Sequence, residues 1–206
     1  MLQVGKLEIE YSGRRLFAPI SFTVNKGKVC VLMGSSGCGK TSVINAINGS
    51  IPYGGTVNDT KNFTVFQDSN QLFPWFTIRK NLNLVCKTDY TATVERWKLS
   101  HLLDSKPSAV SGGQRQRFTF IRAMHSGADV IFCDEPLSGL DAVTKYNVLL
   151  DFKKLVSELS LTCLWVTHDL HEGKTVGDEL LLLDASGIKP ISRMISEKTF
   201  ATLLDS

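Results

Sequence analysis

"VCVLMGSSGCGKT", Val29–Thr41, is the stretch from which the rest of the chain is read. The apolar run up to Met33 has the length and branched character of a strand buried on both faces, as central strands of a parallel sheet are. The next eight residues fit G-x-x-x-x-G-K-[ST], with Gly34, Gly39, Lys40 and Thr41 at the demanded places. Small residues in such a loop let successive backbone N–H groups turn inward onto phosphate oxygens. A helix expected from Lys40 to about Asn48 adds the positive end of its dipole. Lys40 supplies a point charge for the outer phosphates, and the Thr41 hydroxyl can ligate magnesium. A glycine-rich turn with an incidental lysine leaves the flanking strand and helix unexplained. The stretch therefore reads as a binding loop for a nucleoside triphosphate.

Outward from this loop, apolar runs recur at Phe63–Phe66, Val130–Cys133, Thr162–Thr167 and Glu179–Leu183. A helix is expected over Ala142–Leu159. Strands are also expected at Leu7–Tyr11 and Ile20–Asn25, and Gly49, Pro52, Gly54 and Gly55 punctuate a turn. Buried strands alternating with helices imply an α/β fold with a mostly parallel sheet covered on both faces. Residues 72–124 carry helical signals and few strand signals, so they read as a helical insertion. No repeat or linker divides the chain, and residues 1–206 are taken as one folding unit.

Composition narrows the partners. The 206 residues are 43% apolar and 21% charged with a net charge of +3, so no strongly charged partner such as nucleic acid is indicated. The basic clusters Arg14-Arg15 and Arg115–Arg117 are short. No apolar run approaches the roughly 20 residues of a membrane span, and the N-terminus lacks a signal-peptide core. A cytoplasmic protein is expected. The five cysteines are scattered, without C-x-x-C pairs or His at metal-ligand spacing. Cys30, Cys133 and Cys163 lie in apolar runs and read as core residues. Cys38, inside the loop, has two readings: a tolerated small residue, or a thiol whose pKa the positive loop lowers.

Three further stretches carry polar groups. "VIFCDEP", Val130–Pro136, ends an apolar run in two carboxylates, and a parallel strand delivers them to the same sheet edge as the phosphate loop. Asp134 is then placed to hold magnesium, and Glu135 to orient and deprotonate a water. "VTHDL" brings His168 to that edge as well. "VSGGQRQR", Val110–Arg117, opens a helix, with Ser111 as N-cap and Gln114 at capping-box spacing. Gly112 and Gly113 follow in the first turn, where each costs about 1 kcal/mol relative to Ala. The cap does not need them, so something must approach this helix tip closely.

Taken in order, these motifs resemble the ATP-binding cassette (ABC) transporter ATPase family over nearly the whole chain. Gly34–Thr41 (Gly34, Ser35, Ser36, Gly37, Cys38, Gly39, Lys40, Thr41) match Walker A, with Ser42 next to it. Gln67 in "FQDSN" matches the Q-loop, Ser111–Gln114 the signature, Val130–Glu135 Walker B, Ser138–Asp141 the D-loop, and His168 the switch histidine. The resemblance implies a P-loop NTPase (RecA-like) core with a small antiparallel β-subdomain and a helical subdomain at about 72–124. It implies ATP and Mg2+, with Glu135, His168, Gln67 and Lys40 in catalysis and Thr41, Gln67 and Asp134 at the metal. Tyr11 looks like the aromatic residue that stacks on adenine, the other reading being a core tyrosine. In this family two subunits pack head to tail, and Ser111, Gly112, Gly113 and Gln114 cap the nucleotide held by the partner, with Asp141 in the same interface. The partner can be a second copy or a related ATPase chain. Departures are small: Val110 stands where Leu is usual, and the segment from Thr41 to Gln67 is short.

An aromatic stretch, "NQLFPWFTIRKNL" at Asn70–Leu82, reads either as a packed hinge or as a groove for a short helix of a membrane partner. Its wording resembles bacterial importers of small solutes. That implies permease subunits, an extracytoplasmic solute-binding protein, and a position on the inner face of the membrane. The alternative is a soluble ABC ATPase of DNA repair, chromosome structure or translation. Such proteins insert coiled coils or zinc modules, or carry two cassettes, whereas about seventy residues separate Thr41 from Ser111 here. A P-loop kinase or GTPase would leave "SGGQR" unexplained.

Overall fold

The computed structural model describes residues 1–66 and 71–204. The chain begins with β1 (Leu2–Glu8), β2 (Glu10–Tyr11), β3 (Arg14–Arg15), β4 (Ile20–Val24) and β5 (Val29–Met33), followed by α1 (Lys40–Ile47). Next come β6 (Gly54–Val57), β7 (Asn62–Val65), α2 (Ile78–Val85), α3 (Thr91–Arg96) and α4 (Gly112–Met124). The remainder is β8 (Val130–Asp134), α5 (Ala142–Glu158), β9 (Thr162–Val166), α6 (Leu170–Val176), β10 (Glu179–Asp184), β11 (Gly187–Pro190) and α7 (Glu197–Leu204).

The main sheet has six strands in the order β11-β10-β5-β9-β8-β7. All its pairings are parallel except that of β10 with the edge strand β11. Every residue of β5, β8 and β9 is buried, because each strand is covered on both faces. Alternation along these strands sorts the core into two halves, as a period of two requires. Val31, Met33, Ile131, Cys133, Cys163 and Trp165 face α4, α5 and α6. Cys30, Leu32, Val130, Phe132, Leu164 and Val166 face α1 and a second sheet.

That second sheet is antiparallel, in the order β4-β1-β6. It buries one face only, so β4 alternates buried and exposed residues along Ile20–Val24. The α/β architecture with a mostly parallel sheet and an antiparallel subsheet is the one the sequence implies.

Several boundaries differ from expectation. The first strand starts at Leu2 and stops at Glu8, with a bulge between Val4 and Leu7 where Lys6 takes φ 48°. Tyr11 falls in a separate two-residue ladder with Arg14. Gly54 and Gly55, expected in a turn, open β6. A Cβ on Gly55 would lie 2.2 Å from the Lys6 carbonyl oxygen, so the glycine marks close backbone approach at that bulge. Elements α6 and β11 had no counterpart in the sequence reading.

Candidate functional site

The phosphate loop runs from the end of β5 to Gly39, which caps α1 from the left-handed region at φ 105°. Gly34 is demanded by crowding: a Cβ there would lie 2.6 Å from both the Cys38 Sγ and the Leu183 carbonyl oxygen. Lys40 is only 5% exposed. Its Nζ donates to the carbonyls of Gly34 at 2.9 Å and Ser35 at 2.8 Å, folding the side chain over the loop. Burial raises the Cys38 thiol pKa despite the nearby Lys40, so the activated-thiol reading is corrected: desolvation outweighs the positive field. Cys30, Cys133 and Cys163 are buried.

At the end of β8, burial raises the Asp134 carboxyl above the ordinary range, and the charge of Glu135 adds to it. A hydrogen bond with the Thr41 side chain and the charge of Lys40 oppose that shift. Glu135 itself takes φ 45°, an uncommon conformation for a residue with a side chain. Strain of this kind costs on the order of 1–3 kcal/mol and collects at functional sites. The position is held because its N–H donates to the Val166 carbonyl of β9 at 3.0 Å. His168, just beyond β9, places Nδ1 3.1 Å from the Glu135 Oε1. Ser36, Gly37, Gly39, Lys40, Thr41, Ser42, Asp134 and Glu135 wall a cavity of about 380 Å³. The arrangement offers a cation for an anion, a hydroxyl–carboxylate pair for a hard metal ion, and a carboxylate–imidazole pair for a proton.

The helix tip forms separately. Ser111 Oγ accepts from the Gln114 N–H at 3.3 Å, and Gln114 Oε1 accepts from the Ser111 N–H at 2.8 Å. This is the expected capping box. None of Ser111, Gly112, Gly113 and Gln114 is among the residues walling the loop cavity. The glycine pair also has an internal cause that the sequence did not reveal. A Cβ on Gly113 would lie 2.5 Å from Thr144 Cγ2, and one on Gly112 would lie 3.3 Å from Leu140 Cδ2. Asp141 caps α5, accepting from the Thr144 N–H at 3.0 Å, and Leu140 just before α5 and Thr144 in its first turn are what the two glycines of the α4 tip meet.

Tyr11 is 63% exposed, which excludes the core reading. Gln67 and Asn70 lie outside the described residues. In the aromatic stretch, Phe73, Trp75 and Phe76 contact one another with ring centroids 5.7–6.1 Å apart. Trp75 stays 64% exposed, more surface than a buried hinge would leave.

Fold and site together define a P-loop nucleotide-binding protein. The chain belongs to the ABC transporter family, whose pattern matches residues 17–138. It is 33% identical to the maltose/maltodextrin import ATP-binding protein MalK of Mannheimia succiniciproducens, over 92% of this chain and 56% of that protein. It is 29% identical to the taurine import ATP-binding protein TauB of Escherichia coli, over 94% of this chain and 84% of that protein. The chain thus spans little more than half the length of the MalK relative. CbiO1 from Clostridium perfringens, part of the ABC transporter complex CbiONQ, has the same fold. The TM-score is 0.83 at 21% identity, over 99% of this chain and 92% of that one.

Proposed function

We propose that this chain binds and hydrolyses ATP as the energy-supplying subunit of a multi-subunit membrane importer of a small solute. The contact between Glu135 and His168, beside the loop cavity, carries this reading. Glu135 acts as general base on the attacking water, and His168 fixes the carboxylate and meets the γ-phosphate. Gly34–Ser42 cradle the phosphates through backbone donors and Lys40, and Tyr11 stacks on the base. Gln67 is included in the site on its match to the family's Q-loop motif alone.

Magnesium fits the residues present. One hydroxyl and one buried carboxylate, Thr41 and Asp134, are hydrogen-bonded to each other. Mg2+ needs no more from protein when phosphate and water complete its shell. Among the described residues no group of three or more His, Cys, Asp or Glu forms a cage, and such a site does not require one. When bound, the ion neutralises charge on the outer phosphates.

The reading includes a second subunit, taken as another copy of this chain, whose Ser111–Gln114 tip and Asp141 close each site. Among the described residues no helix is long and apolar enough to cross a membrane, so attachment to the inner face runs through permease subunits. Their contact is the aromatic cluster of exposed Phe73 and Trp75 with half-buried Phe76. The relatives named as import proteins favour import over a soluble, non-transport role, and the proposal adds an external solute-binding protein.

Phosphate release by the purified protein tests the reading. Glu135→Gln is expected to lower kcat by about 10²–10⁴-fold, the usual cost of losing a general base, while ATP binding persists. Turnover near wild type in that variant would remove Glu135 from the chemistry.

A further inference from the structure

His168 sits in a three-residue connection between β9 and α6, and its side chain is 63% exposed. An exposed imidazole on a short loop has many rotamers and no packing to choose among them. What fixes this loop lies beneath it. Asp169 caps α6, accepting from the Glu172 N–H at 3.0 Å. The spacing Asp-x-x-Glu would let Glu172 return the bond to the Asp169 N–H as a capping box. It does not. The Asp169 N–H instead donates to Thr167 Oγ1 at 3.1 Å, and the Glu172 carboxylate is freed for other partners. The Trp165 indole N–H donates to Glu172 Oε1 at 2.7 Å, fully inside the protein. The Thr167 side chain also hydrogen-bonds this carboxylate, and Lys145 of α5 lies near enough to act on it by charge.

Of the two neighbours of His168, Thr167 meets the Glu172 carboxylate through its side chain, and Asp169 is tied in turn to the Thr167 hydroxyl and to the backbone N–H of Glu172. The other end of the tie is rigid. Trp165 packs against Phe152 of α5 with ring centroids 4.9 Å apart, and against Phe120 of α4 at 5.9 Å.

We propose that Glu172, anchored by Trp165, is a positioning residue that aims His168 at Glu135. The inference rests on the ATPase reading above and adds to it a buried link from the sheet and the two helices to the exposed imidazole.

Steady-state ATP hydrolysis tests it in the purified protein. Trp165→Phe keeps a ring in the core and removes the donor, whereas Glu172→Ala removes the acceptor. Each is expected to lower kcat by roughly ten- to a hundredfold, the scale of misplacing a reacting group by about an ångström. KM for ATP should change less than about twofold. Glu172→Gln, whose amide oxygen still accepts from the indole, is expected to restore turnover. In a His168→Ala background, Glu172→Ala should add no further loss, because both act through one imidazole. An undiminished kcat in Glu172→Ala, or an equal fold-loss in both backgrounds, would overturn the proposal. Should Glu172→Ala fail to fold, the same cycle run with Trp165→Phe decides it. Wild-type protein without hydrolysis would remove the ATPase reading and this inference together. Hydrolysis abolished by His168→Ala but indifferent to Trp165 and Glu172 would remove the inference alone.

Discussion

Gly113 is where a single residue's chemistry can be tested most sharply. A methyl group there would lie 2.5 Å from Thr144 Cγ2, on a β-branched side chain that is stiff at χ1. Alanine gains up to about 1 kcal/mol over glycine in a helix, but overpacking costs about 1–3 kcal/mol. Gly113→Ala is therefore expected to lower stability in urea unfolding, and the loss should vanish when Thr144→Ser removes the offending methyl. A destabilisation that persists in the double variant would mean that Thr144 is not the cause. The capping role of Ser111 and Gln114 was legible in the sequence because both groups lie within one turn. The packing role of Gly113 was not, because its neighbour belongs to a different helix. The same limit explains Cys38. Its neighbour Lys40 is visible in the sequence and favours the thiolate, whereas the burial that prevails depends on how the loop folds against Leu183.

Among the elements, α6 carries a buried carboxyl. Burial pushes the Glu172 carboxyl up to about 7 from an ordinary value of 4.5. The folded chain therefore holds this proton more tightly than the unfolded chain. Between those two values, rising pH favours the unfolded state. Wild type is expected to lose stability relative to Glu172→Gln as pH rises from about 5 to about 7, and the gap should level off above that. Denaturant midpoints measured across that window check the sign. A gap independent of pH would show that the carboxyl titrates normally. Elements with strong local patterns were readable: β5, β8 and β9 as unbroken apolar runs, α5 by its length. Helix α6 was not, since it is short and contains Gly173, which lets the helix pack on the Met33 Sδ and on Val31. Strand β6 was hidden too, because Gly54 and Gly55 signal a turn locally, while the bulge in β1 that accommodates them is about fifty residues away.

In the whole molecule, the two segments proposed to grip the nucleotide stand on different parts of the fold. The phosphate loop opens between the two core layers at the ends of β5 and β8, and the Ser111–Gln114 tip begins the helix α4 on one side of the sheet. The tip is not part of the wall of the loop cavity, and the proposed second subunit is what would bring such a tip over a nucleotide held there. The order of the motifs carried this much, since strand ends in a parallel sheet converge by topology. Which faces meet between subunits is not written in any one stretch, because it depends on surfaces assembled from distant segments. The direct measurement is a structure of the Glu135→Gln protein crystallised with ATP and Mg2+, with turnover arrested. Each ATP should lie between the Gly34–Thr41 loop of one copy and the Ser111–Gln114 tip of a second. A γ-phosphate held by both segments of the same copy, with no second subunit over it, would contradict the account.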